Sequence, residues 1–148
     1  MPALDLFPLA LWHRLLGRAS RRNAGRLLDY GDPAGLPALR EAIADYAGAV
    51  RGVAARPEQG LVPRGAQGAV FAAALALDDP GDAALVETPG YTSLQAALRL
   101  AGLVLRPMPV DASGCDVGRA AGAADARLAL VSPSHHYPLG VTLTLERR

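Results

Sequence analysis

The sequence of 148 residues contains no lysine, so all 15 of its basic side chains are arginines. Without a side-chain amine, these residues cannot form a Schiff base with a carbonyl compound. The one cysteine, Cys115, excludes a disulfide within the chain and favours a reducing, cytoplasmic setting. Because Cys115 lies in a turn with no histidine beside it in sequence, we do not expect it to act as a nucleophile.

Excess charge and long apolar runs are also absent. The net charge is +1, from 15 basic and 14 acidic residues, which gives no electrostatic signature of a nucleic-acid or anionic-lipid partner. No apolar run approaches the roughly 18–20 residues that a membrane-spanning helix requires. The start at Met1 has no basic segment before an apolar stretch, so we expect no signal peptide.

Short apolar segments alternate with helical patterns along the chain. This alternation is typical of βαβ units and predicts an α/β fold with a mainly parallel sheet. Gly52 is expected to end the second helix, and residues 111–125 to form a loop with at most a weak helix. The predicted strands are 60–63, 83–87, 103–108 and 128–132, and the predicted helices are 8–22, 36–50, 65–77, 92–101 and one that starts near 142.

The first predicted helix is amphipathic. Leucines and Trp12 recur at helical spacing on one face. The arginines of the other face are expected to be solvated, with DNA binding as the alternative; they are Arg14, Arg18, Arg21 and Arg22.

Three junctions between strands and helices carry residues suited to ligand binding. In open α/β sheets, ligands bind at the carboxyl ends of the strands. A glycine-rich turn that opens a helix can offer backbone N–H groups to a phosphate, although tight turns also use glycine for packing alone. A tyrosine after Pro-Gly can stack on a ligand ring or simply pack. The junctions are Arg64-Gly65-Ala66-Gln67, Thr88-Pro89-Gly90-Tyr91 and Ser134-His135-His136-Tyr137-Pro138-Leu139-Gly140.

The two histidines of the third junction, His135 and His136, do not predict a metal site. Adjacent side chains point apart, and the sequence offers no evident third ligand.

Five segments follow one another in an order that is a more specific signal than any single motif. They are Tyr30–Ala44, Val62–Gln67, Asp79–Asp82, Glu87–Tyr91 and Ser132–Thr142. In this order they resemble the fold-type-I pyridoxal-phosphate (PLP) enzymes, the aspartate aminotransferase superfamily. Together with Leu4–Pro8 and Trp12, the amino-acid sequence of these segments is most similar to the MocR branch of the GntR-type regulators. These regulators fuse a winged-helix DNA-binding domain to an aminotransferase-like domain.

The resemblance implies a set of cofactor-binding residues. In the turn that begins with Gly65, Ala66 and Gln67 would offer backbone N–H groups to the PLP phosphate. Tyr91 would stack on the pyridine ring. Tyr30 would reach toward a phosphate, usually that of the partner subunit. No catalytic residue and no metal ligand is implied within these 148 residues.

Other positions depart from the family pattern. Tyr137 stands where many aminotransferases place an asparagine near the phenolic oxygen of the cofactor, and His136 is a candidate to replace that hydrogen bond. Arg64 stands where a small hydroxyl residue is usual; it could pair with phosphate or crowd the site. Pro63 removes one backbone N–H nearby.

The resemblance also implies that residues 1–148 form a partial, truncated aminotransferase class I/II-like domain without the winged helix. The Schiff-base lysine, the aspartate at the pyridine nitrogen and the arginine for the substrate carboxylate are expected on polypeptide beyond Arg148. Strands encoded there would separate 60–63 from the other strands, leaving 128–132 as an exposed edge. We therefore expect the isolated chain to fold poorly or only in part.

The expected function is that of an inactive piece of a PLP-dependent aminotransferase-like domain, with at most noncovalent PLP binding. The alternative is a piece of a MocR-type regulator that senses PLP or an amino acid. Either parent is expected to be a cytoplasmic homodimer with a small-molecule ligand, and this segment is expected to contact neither nucleic acid nor membrane. An unrelated doubly wound nucleotide-binding domain is disfavoured because Gly65-Ala66-Gln67-Gly68 lacks the required glycine spacing.

Overall fold

The computed structural model describes residues 4–22, 24–120 and 122–148. They fall into two compact units, Met1–Val62 and Pro63–Arg148. None of the helices in these described ranges is both long and apolar enough to cross a membrane.

The first unit is helical. It contains α1 (Leu9–Arg22), α2 (Ala24–Leu27) and α3 (Pro37–Arg51), with 3-10 turns at Leu4–Leu6 and Pro57–Gln59. Pro37 lies in the first turn of α3, where its missing N–H costs no helical hydrogen bond. Gly52 ends α3 in the left-handed conformation at φ 66°, and N–H groups of the cap bond back to the carbonyls of Ala47 and Gly48. The predictions for α1, α3 and Gly52 are confirmed.

The predicted strand at 60–63 is wrong. Residues 60–63 form no regular secondary structure and belong to no sheet. The N–H of Val62 instead donates to the carbonyl of Ala34 at 2.9 Å. Gly35 permits this approach, since a Cβ at its position would lie 2.6 Å from the Cβ of Val62. A strand needs a neighbour for its backbone hydrogen bonds, and the described part of this unit contains no other strand.

The second unit contains the sheet. Its elements are α4 (Gly65–Leu77), β1 (Ala83–Thr88), α5 (Thr92–Leu100), β2 (Val104–Asp111), β3 (Gly114–Cys115) and β4 (Ala126–Leu130). The strand order is β3-β2-β1-β4. β1 pairs in parallel with both β2 and β4, and β2 pairs with β3 in an antiparallel hairpin. The predicted parallel sheet is confirmed.

Two details of this unit differ from prediction. The β2–β3 hairpin forms where a loop was expected, because Gly114 adopts φ 94° and lets the chain reverse. β4 begins two residues before its predicted start, since its register against β1 runs from Ala126 to Leu130. Among the strands of the described ranges, β4 lies at the edge of the sheet with β1 on one side only, as expected.

The core lies on both faces of β1, whose first five residues are all buried. Side chains alternate between the two faces of a strand. One face packs under α4 and α5. The buried residues on this side of the sheet, from β1 and the elements packed on it, are Ala74, Ala84, Val86, Leu98, Ala101 and Leu103. The opposite face, which carries Leu85, packs against Met108 and Cys115. By alternation, Glu87 lies on the same face as Leu85.

The C-terminal segment contacts the β2–β3 hairpin. Leu145–Arg147 is a 3-10 turn and not the helix expected from 142. Arg147 donates from both terminal nitrogens to the carboxylate of Asp111, at 2.7 and 2.9 Å. It also donates to the carbonyl of Gly114 at 2.9 Å. This bidentate contact fixes where the chain goes after the loop that follows β4.

Candidate functional site

The N-terminus of α4 presents free backbone donors. Gly65 starts the helix at φ 71°, a conformation that favours glycine, and its own N–H bonds to the carbonyl of Pro63 at 3.0 Å. The Arg64 side chain makes no capping hydrogen bond. Ala66 and Gln67 are exposed. Their N–H groups therefore point from a helix N-terminus whose dipole favours an anion.

The starts of α4 and α5 lie side by side. The Gln67 amide donates to the carbonyl of Ser93 at 3.4 Å. Tyr91 is the residue immediately before α5. The anion-favouring turn and the tyrosine predicted to stack are thus brought to the same region of this unit.

A tight turn between β1 and α5 fixes Tyr91. A Cβ at Gly90 would lie 2.4 Å from the carbonyl oxygen of Glu87, so only glycine fits there. The Gln95 side chain donates to the same carbonyl oxygen at 3.0 Å. The carbonyl of Glu87 therefore ties the end of β1 to the first turn of α5.

Tyr91 and Tyr137 form an aromatic pair at the carboxyl end of the sheet. Their ring centroids are 4.8 Å apart and their planes are inclined by 30°. Tyr91 is 43% exposed and Tyr137 is 54% exposed. The rings thus contact each other and still offer about half of their surface to a ligand.

His136 is buried, unlike the two exposed tyrosines. Its side chain is only 1% exposed, and its Nε2 lies 3.6 Å from Oε2 of the buried Glu87. The hydrogen bond to the cofactor that the resemblance suggests for His136 stays a prediction. Sequence reasoning missed this buried pair.

Cys115 lies in the same buried region. Burial raises the pKa of its thiol, and the negative charge of Glu87 acts in the same direction. A thiol held in its protonated form is a poor nucleophile.

His135 is exposed and His136 is buried. Over the described ranges, no three histidine, cysteine or acidic side chains converge as metal ligands.

Tyr30 belongs to the first unit, whereas Gly65, Ala66, Gln67, Tyr91 and Tyr137 belong to the second. Tyr30 is fully exposed, and its N–H bonds to the carboxylate of Asp29 at 2.7 Å. Its predicted contact with a phosphate stays a prediction.

The residues of the second unit fit a phosphorylated aromatic ligand. Backbone donors at a helix N-terminus suit a phosphate, and a half-exposed tyrosine suits a flat ring. The side chain of Arg64 is exposed and makes no capping bond, so it does not block the donors of Ala66 and Gln67 in this structure.

A family model described as "Aminotransferase class I and II" matches residues 12–147. The chain belongs to this family. The resemblance inferred from the order of the motifs is confirmed, and the α/β fold with its mainly parallel sheet is the aminotransferase fold.

Curated relatives of this aminotransferase-family chain include regulators and enzymes. It is 39% identical over 147 residues to "Probable rhizopine catabolism regulatory protein MocR" of Rhizobium meliloti, covering 99% of this chain and 30% of the relative. It is 37% identical over 87 residues to an aspartate/prephenate aminotransferase of Thermus thermophilus, covering 59% of this chain and 23% of the relative. The chain thus spans less than a third of the length of either relative.

Solved aminotransferases share the fold. LysN, the α-aminoadipate aminotransferase of Thermus thermophilus, was solved with N-(5'-phosphopyridoxyl)-L-leucine; it superposes with a TM-score of 0.81 at 27% identity, over 99% of this chain and 37% of LysN. The kynurenine aminotransferase of Pyrococcus horikoshii gives a TM-score of 0.83 at 23% identity, which supports the fold alone. PLP is the cofactor of this family.

Proposed function

We propose that residues 63–148 supply the part of a PLP site that holds the phosphate and the pyridine ring. We also propose that the chain binds PLP without a covalent bond to any of its side chains. One observation carries this proposal. The uncapped start of α4 lies beside the start of α5, where Tyr91 is exposed and paired with Tyr137.

Each proposed residue has a separate task. The N–H groups of Ala66 and Gln67 would hold the phosphate, in a turn that Gly65 permits. Tyr91 would stack on the pyridine ring, and Tyr137 would support Tyr91 and offer a hydroxyl group at its edge. When bound, PLP supplies an aldehyde and an electron-withdrawing ring for chemistry on amino groups.

The absence of lysine limits what these residues can do. With no side-chain amine in the 148 residues, they hold and orient the cofactor but provide no covalent anchor for it. We therefore propose that this chain is inactive as an aminotransferase on its own.

A regulatory parent is favoured over an enzymatic one by the extent of similarity. The relationship to MocR runs over 99% of the chain, whereas that to the aspartate/prephenate aminotransferase runs over 59%. We propose a cytoplasmic, homodimeric parent of MocR type in which this region responds to PLP or an amino acid and makes no contact with DNA. A winged-helix coding segment upstream of Met1, in frame or one frameshift away, would support this; its absence favours an enzyme.

The cofactor proposal is tested by titrating the chain with PLP, with inorganic phosphate and pyridoxal as partial ligands. We expect saturable binding that dialysis reverses, and weaker binding of pyridoxal because it lacks the phosphate. After borohydride reduction, mass spectrometry should find no adduct on a side chain; the α-amine of Met1 is the one amine present.

Loss of the stacked ring should weaken PLP binding. Aromatic pairs contribute about 0.5–1.5 kcal/mol, so Tyr91→Leu should raise the Kd about 2- to 12-fold. Tyr46→Leu, at an exposed tyrosine on α3, is the matched control and should leave the Kd unchanged. A stoichiometric side-chain adduct, or no binding of PLP at all, would refute the proposal.

A further inference from the structure

The loop after β4 closes on the backbone of His136. The N–H of His136 donates to the carbonyl of Val141 at 3.1 Å, and its carbonyl accepts from the N–H of Gly140 at 2.6 Å. The hydroxyl of Thr142 donates to the carbonyl of Ser134 at 3.0 Å. The loop is therefore a small closed unit, and any contact that places His136 also places Tyr137.

The side chain of His136 connects this loop to β1. It faces Glu87 across 3.6 Å, and the two side chains are 1% and 6% exposed. This separation is longer than a hydrogen bond, and neither ring nitrogen of His136 has a hydrogen-bond partner among the described residues. The contact is therefore an electrostatic one between two buried polar groups.

Stability alone is a weak reason for such a pair. Two apolar side chains of similar volume usually pack as well as a buried ion pair or better, because both polar groups lose their hydration. A polar pair differs in selecting one position: if the loop shifts, the buried Glu87 carboxyl group loses the imidazole that faces it, and a buried polar group that loses a partner is costly. The pair therefore favours one placement of the loop over its alternatives.

Two adjacent loop residues thus meet two neighbouring points of the β1–α5 junction. His136 faces Glu87, while Tyr137 lies against Tyr91 with ring centroids 4.8 Å apart. We propose that His136 is a positioning residue, which through Glu87 sets Tyr137 against Tyr91 and so fixes the aromatic surface offered to the pyridine ring. The last part of this proposal rests on the proposed PLP site.

The test compares variants by the NOE between the rings of Tyr91 and Tyr137 in the full chain without ligand. We expect His136→Leu to abolish this NOE and His136→Gln, which retains an N–H donor for Glu87, to restore it. His135→Leu removes the exposed neighbouring histidine and is the matched control, with no expected change.

A double variant separates positioning from folding. Glu87→Leu with His136→Leu replaces the polar pair by an apolar one, and we expect β1 to keep its protection from hydrogen exchange while the ring-to-ring NOE is lost. The proposal is overturned if the unchanged chain lacks the NOE, if His136→Leu or the double variant retains it, or if the double variant unfolds.

Titration with PLP distinguishes this proposal from the one on which it rests. We expect His136→Leu to raise the Kd for PLP about 2- to 12-fold, as for loss of the stacked ring, and His136→Gln to restore it. If no variant binds PLP but the NOE responds as expected, the PLP site is wrong and the positioning role stands. If PLP binds and the NOE does not respond, the positioning role alone is wrong.

Discussion

Gly90 is the position where the smallest change should have the largest effect on the candidate site. Gly90→Ala adds one methyl group, which would lie 2.4 Å from the carbonyl oxygen of Glu87 and 3.2 Å from its carbonyl carbon and its Cβ. The nearest obstacle is a backbone atom of a buried strand, so no flexible side chain can move aside.

The expected decrease in the free energy of unfolding follows from these contacts. To reach an ordinary contact of 3.4 Å, the oxygen must move by about 1 Å. Overpacking of this kind costs about 1–3 kcal/mol. The same oxygen accepts the 3.0 Å hydrogen bond from Gln95, and its loss costs about 0.5–1.5 kcal/mol more. We expect Gly90→Ala to lower the free energy of unfolding by about 1.5–4.5 kcal/mol.

Urea unfolding followed by circular dichroism measures this change, and Gly68→Ala is the matched control. Gly68 lies inside α4, where a Cβ would be 3.7 Å from the Cβ of Pro63, an ordinary contact. Alanine is the better helix former there, so we expect Gly68→Ala to raise the free energy of unfolding by about 0.5–1 kcal/mol. If Gly90→Ala is as stable as the unchanged chain, the inferred crowding at the β1–α5 turn is wrong.

Three further predictions concern the second unit. Hydrogen bonding from Arg147 lowers the pKa of Asp111 below its ordinary value of 3.8. The ionised carboxylate therefore stabilises the fold above that value, and this stabilisation is lost as the pH falls through the lowered pKa. In urea unfolding, Arg147→Gln should make the free energy of unfolding depend less on pH in the acid range, and an unchanged dependence would contradict this. Cys115 should react slowly with a thiol-reactive dye in native buffer and rapidly in urea, because burial raises its pKa; equal rates would show an accessible thiol. Amide exchange by NMR should be slow throughout β1 but alternate between slow and fast along β4, which has a neighbour on one side only; uniform protection of β4 would indicate another partner for that edge.

Much of the local structure is predictable because its signals are local. Gly52 marks the end of α3, and Gly65 marks the start of α4, since both backbone conformations have positive φ and favour glycine. The order of the motifs is enough to indicate the family. The prediction of a strand at 60–63 is wrong because apolar composition favours an extended segment but does not supply the neighbouring strand that its backbone hydrogen bonds need.

The amino-acid order alone indicates the family, the alternation of helices with parallel strands, and the absence of a covalent anchor for PLP among these residues. The burial of His136 against Glu87 and the contact of Tyr137 with Tyr91 are visible only in the three-dimensional fold. The physical reason is that turns and helix ends depend on residues adjacent in the chain. Contacts between distant residues depend on how the strands are paired, and a polar residue such as Glu87 in an apolar strand shows only that some partner is needed.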